Sequence, residues 1–114
     1  MTVVSSGFPP LTEERLQKAV DLIVSALNPE QVILFGSNAY GQPNADSDVD
    51  LLVVFETSAR PAERIATVSR LLSPRPFPVD IVVRTPEELD RALKRIDPFI
   101  HELVERGRVL YARS

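Results

Sequence analysis

The chain has 114 residues, 44% hydrophobic and 25% charged, a balance that fits one compact domain spanning residues 1–114, with residues 1–10 as a loose leader. Thirteen basic against sixteen acidic side chains give a net charge of -3, so no uniformly basic face is available and direct binding to DNA or RNA is not expected. Without cysteine there is no disulfide framework, zinc ribbon or thiol nucleophile, and a hard metal must be held by oxygen ligands. No apolar run approaches the roughly 18–20 residues that span a bilayer and no signal-like start is present, so the expected location is cytoplasmic, away from membranes.

Pro9 and Pro10 precede Thr12, an N-cap residue followed by Glu13 and Glu14, and Leu16, Ala19, Val20, Ile23, Val24 and Leu27 then recur at helical spacing up to Asn28-Pro29. Gln31 to Phe35 is a short apolar run ending at Gly36-Ser37, and Gly41 to Ser47 is rich in turn formers, so the order is strand, glycine turn, loop. Asp48 to Phe55 predicts a second strand, buried on both faces beyond its acidic start. Pro61 opens a helix with Ile65, Val68, Leu71 and Leu72 on one stripe, which the proline-rich run Ser73 to Pro78 stops. Val79 to Arg84 is a third strand. Thr85-Pro86-Glu87-Glu88 opens a helix to about Arg95, Asp97-Pro98 opens another through Glu105, and Gly107 precedes a final strand, Arg108 to Tyr111. This order predicts an α/β (α+β) layer fold with a mixed sheet.

The acids of the second and third strands fall where they disfavour the bare fold. Asp48 and Asp50 leave the same face of a strand about 6.6 Å apart. Asp80 sits at the start of the third strand, and pairing of the two strands brings all three carboxylates toward one point. Two unit charges about 5 Å apart repel by roughly 3 kcal/mol at an effective dielectric near 20. Any one of these aspartates alone is an ordinary solvated strand end. The three together call for a counter-charge, and a hard divalent cation such as Mg²⁺, bound by carboxylates and substrate phosphate oxygens, supplies it. Two such ions sharing the acids would suit an in-line phosphoryl displacement. Gly36-Ser37, directly after a strand, permits close backbone approach and can offer amides and a hydroxyl to phosphate, although by itself the dipeptide is more often a plain turn.

Taken as a unit, Phe35-Gly36-Ser37-Asn38-Ala39-Tyr40-Gly41 followed by Ser47-Asp48-Val49-Asp50-Leu51-Leu52-Val53, with Asp80 beyond, resembles the minimal nucleotidyltransferases of the DNA polymerase beta superfamily. The likeness spans Val32 to Arg84, and the closing Gly107-Arg108-Val109-Leu110-Tyr111 is similar to the ending of such small proteins. The resemblance implies that Asp48 and Asp50 hold two Mg²⁺ ions, that Asp80 ligates the catalytic one and that Gly36 and Ser37 bind the triphosphate of ATP. It further implies an antitoxin of a toxin–antitoxin pair that transfers AMP from ATP to a tyrosine of a HEPN-type all-helical toxin encoded beside it. Two other readings stand beside this one: a non-catalytic antitoxin acting by occlusion, and a transferase for a small hydroxylated acceptor such as an aminoglycoside. Tyr40 departs from the Arg that many relatives carry, which bears on nucleotide preference more than on the metal site.

The lone histidine, His101, is read as a surface or packing residue. Arg75, Arg84, Arg91, Lys94 and Arg95 are read as a solvated basic helix face, and Phe35, Phe55, Phe77, Phe99 and Tyr111 as core or partner-facing bulk.

Overall fold

The computed structural model describes residues 12–36 and 48–113. The elements run α1 (Glu13–Leu27), β1 (Gln31–Phe35), β2 (Val49–Val54), α2 (Pro61–Leu71), β3 (Val79–Arg84), α3 (Pro86–Lys94), α4 (Pro98–Arg106) and β4 (Arg108–Ala112). The four strands form one mixed sheet in the order β3-β2-β1-β4, and with the four helices they make the expected α+β architecture. The leader and the loop 37–47, with Ser37 and Tyr40, lie outside the described residues.

Local chemistry accounts for each boundary. The Thr12 hydroxyl accepts the Arg15 amide at 3.1 Å and starts α1, while Asn28, at φ 48°, ends it by donating its amide to the Val24 carbonyl at 3.0 Å. Leu16, Ala19, Val20 and Ile23 form the buried stripe of α1. Burying each larger member of that stripe stabilises the fold by about 1.5–3 kcal/mol. β1 lies antiparallel to β2 and to β4, whereas β2 and β3 are parallel and need a crossover, which α2 supplies. At Thr85 the structure completes more than an N-cap: its hydroxyl accepts the Glu88 amide and the Glu88 carboxylate accepts the Thr85 amide, a full capping box.

Strand alternation divides the core. Val32, Leu34, Val49, Leu51 and Val53 face the buried side chains of α1 and α2, and Ile33, Phe35, Leu52 and Val54 face Leu103 of α4 and Leu89 of α3. β2 is therefore buried on both sides beyond its start, as the continuous apolar run predicts. The second strand begins at Val49 rather than Asp48. The Val49 amide bonds the Pro78 carbonyl, and Pro78 has no amide with which to carry the parallel ladder further. Gly107 sits where α4 turns into β4, and a Cβ there would meet the Leu103 carbonyl and, at 2.7 Å, the Ile33 side chain. Among the described residues no helix is long and apolar enough to cross a membrane.

Candidate functional site

The even-numbered residues of β2 and β3 share the sheet face of Ile33 and Phe35, so Asp50 and Asp80 project on the side covered by α3 and α4. They are register partners across the parallel pair, on strands about 4.8 Å apart. Asp48 stands one residue before β2, exposed, at the same end of the sheet. Asp80 is exposed and Asp50 half-buried.

Burial pushes the Asp50 carboxyl above its ordinary value of 3.8, and the charges of Asp80 and Asp48 and a hydrogen bond with Asp80 push it the same way. Every cause acting on Asp50 favours its neutral form, so the acids at this end of the sheet act on it as a negative potential. Two of the three sequence-predicted acids are thus side by side and the third is within electrostatic reach. Among the described residues no three acids stand close enough to enclose an ion as they are. The donors are all carboxylate oxygens, the set that suits Mg²⁺ completed by water and phosphate.

Gly36 closes the other side of the site. Phe35 is the register partner of Asp50 on β1, and the next residue turns at φ +77°, a conformation that L side chains rarely adopt. A Cβ at position 36 would run into the Asp50 carboxylate itself. The glycine therefore serves two physical ends at once: it admits the left-handed turn after β1, and it leaves room for the acid.

Of the remaining residues weighed from sequence, Phe35, Phe55 and Phe77 are buried core and Tyr111 is half-buried. His101 packs its Nε2 at 3.1 Å from the Arg95 carbonyl, a link between α3 and α4. Phe99 is 49% exposed and stands edge-on to Phe35, with centroids 5.8 Å apart and planes at 83°. Because Phe35 lies across from Asp50, this contact puts the partly exposed Phe99 on the acids' side of the sheet, a placement that only the tertiary fold reveals. Arg64, which sequence reasoning passed over, is buried and pairs with Glu88 at 2.7 Å. Its partner lies 24 positions away, and no local pattern announces it.

The sequence model of the nucleotidyltransferase domain family matches residues 13–109. Among solved structures, a protein of Sulfolobus solfataricus assigned as a nucleotidyltransferase is 25% identical over 88% of this chain and 79% of its own, with a TM-score of 0.62. A toxin–antitoxin structure with AMP-PNP is 21% identical over 91% of this chain and 76% of its own, with a TM-score of 0.61. The toxin–antitoxin pair MntA-HepT is 18% identical over 90% and 74%, with a TM-score of 0.56. Among curated proteins none matches the chain.

Proposed function

The chain belongs to the nucleotidyltransferase domain family, and we propose that it is the antitoxin of a toxin–antitoxin pair, transferring AMP from ATP to a tyrosine hydroxyl of a HEPN-type helical toxin. The observation that carries this reading is the Asp50–Asp80 register pair with Asp48 close by, a cluster of oxygens whose mutual repulsion a divalent cation would relieve. The solved toxin–antitoxin neighbours, one of them with an ATP analogue, support the choice of partner and nucleotide.

In this reading Asp48 and Asp50 would hold two Mg²⁺ ions and Asp80 would hold one of them, and when bound the ions would lower the acceptor hydroxyl's pKa and neutralise the triphosphate. The chain's own residues set the geometry. Gly36 lets the turn after β1 pass against Asp50 without displacing its carboxylate, so that the turn and the acids face the same phosphates. Ser37, with Gly36, would bind the triphosphate. The acceptor oxygen then attacks the α-phosphorus in line with the leaving pyrophosphate: the bond to the acceptor forms as the bond to the β-phosphate bridging oxygen breaks. Positioning and fixed charges supply the rate enhancement.

The test is substitution of each acid by its amide. Asp48→Asn and Asp50→Asn abolish pyrophosphate release with ATP and the toxin, while circular dichroism shows the native fold. Full activity in both variants would falsify the assignment.

A further inference from the structure

Along α3, from the end of β3 to the start of α4, lies a cleft of about 640 Å³ lined by four arginines, Arg64, Arg84, Arg91 and Arg95. Arg84 ends the strand whose second residue is Asp80, four residues or roughly 13 Å along it, and none of Asp48, Asp50 and Asp80 lines the cleft. Its volume falls in the range of roughly 300–1,000 Å³ that small-molecule sites occupy. In a chain of net charge -3, four guanidinium groups in one concavity need a reason.

The two carboxylates that line the cleft are already engaged. Glu88 accepts from the Arg64 Nη1 at 2.7 Å and from the Thr85 amide at 2.9 Å, which holds its carboxyl below the usual range. Asp97 caps α4 by accepting the Ile100 amide at 3.2 Å. Arg91 shares Glu87 at 2.6 Å on the rim. Arg84 gives one Nη1 bond to the neighbouring Val83 carbonyl, and among the described residues neither Arg84 nor Arg95 makes an ion pair. Arg84 and Arg95 thus bring to the cleft two guanidinium groups that no salt bridge among the described residues ties down, with the Arg84 charge also acting on Glu88.

Pro61 at the first position of α2, Pro98 at the first position of α4 and the C-cap Arg95 of α3 all line the cleft. Two positive helix ends and one negative end therefore meet there, and the net positive charge of the cleft comes from its arginines. The remaining walls, Ala92, Pro98 and the 98% exposed Ile96, are apolar, and they suit the organic part of a ligand better than a bare ion.

We propose that this cleft is a second, separate anion site that takes a phosphorylated small molecule of nucleotide size, with Arg84 and Arg95 clamping the phosphates and Ile96 and Pro98 covering the organic moiety. Guanidinium groups match phosphate bidentately, and an open cleft of this size fits one small molecule better than an extended carboxylate-rich peptide. Arg64 is the fixed member: its Nε donates to the Ala59 carbonyl at 2.8 Å, and its pairing with Glu88 ties α2 to α3 and sets the width of the cleft.

The inference is independent of the reading of the acids. It is tested by calorimetric titration of the full chain with ADP and with pyrophosphate, in EDTA and at low salt, so that no cation bridges phosphate to Asp50. The wild type binds ADP, Arg84→Ala/Arg95→Ala weakens that binding at least ten-fold, and Asp50→Asn leaves it within two-fold. Arg84→Lys/Arg95→Lys, which keeps the charge and loses the fork, falls between. Absence of saturable binding by the wild type, equal binding by the double alanine variant, or loss of binding in Asp50→Asn overturns the proposal. Tighter binding of a decaglutamate peptide than of ADP also overturns it, in favour of a protein-docking face.

Discussion

Replacing Asp50 by Asn stabilises the metal-free protein. Asp50 and Asp80 project from strands about 4.8 Å apart, so two full charges there repel by about 3.5 kcal/mol at an effective dielectric of 20 and by about 0.9 kcal/mol in water. Asp80 is exposed and Asp50 only half-buried, which places the gain near the lower figure, about 1 kcal/mol. In a chain of this length that raises Tm by about 4 °C. The pH dependence fixes the cause. The folded Asp50 binds its proton more tightly than the unfolded side chain, with its ordinary value of 3.8, so stability falls as pH rises from that value through the raised one. Differential scanning calorimetry in EDTA then shows Asp50→Asn above the wild type at pH 7, with the advantage gone below about pH 4. Added Mg²⁺ raises the Tm of the wild type more than that of the variant. A variant that melts at or below the wild type at pH 7, or one whose advantage is the same at every pH, refutes the electrostatic reasoning.

Three further substitutions probe the frame. Gly36→Ala places a side chain at φ +77° and against the Asp50 carboxylate, so it costs at least about 1–2 kcal/mol in denaturant titrations and loses transferase activity even where the fold survives. Arg64→Met leaves the Ala59 carbonyl without its guanidinium donor and Glu88 with the Thr85 amide alone, and with Glu88 partly in solvent it destabilises by about 1–2 kcal/mol; a change under about 0.5 kcal/mol would show that the pair does not tie α2 to α3. Gly107→Ala drives a methyl group into the Leu103 carbonyl and the Ile33 side chain, at a cost of about 1–3 kcal/mol measured by urea unfolding, and an unchanged midpoint contradicts the close approach.

The local chemistry of the chain foretells most of its elements. Thr12, Thr85 and Asp97 mark helix starts that the structure places one residue later, and the continuous Val and Leu content of residues 49–54 announces a strand covered on both faces. The same reading brings Asp48, Asp50 and Asp80 together by pairing the second and third strands, and the structure makes Asp50 and Asp80 register partners with Asp48 just before β2. What pairing across long separations decides is not legible in this way. The β3-β2-β1-β4 order, the contact of Gly36 with a carboxylate 14 positions on, the Arg64–Glu88 pair and the edge-on contact of Phe99 with Phe35 all follow from tertiary packing, which leaves no periodic mark on either partner. Arg84, Arg91 and Arg95 read as a solvated face in sequence, yet they line one concavity because a strand end and a helix end meet there.

The central claim is nucleotidyl transfer to a protein, and intact-mass spectrometry addresses it most directly. A helical toxin of the kind the proposed function calls for is incubated with the chain, ATP and Mg²⁺, with Asp48→Asn as the control. The account predicts a mass gain of one or more AMP groups on a tyrosine of that protein, absent in the control. An unchanged mass, with the two proteins still forming a complex that suppresses the partner's activity, contradicts it and identifies an antitoxin that works by occlusion.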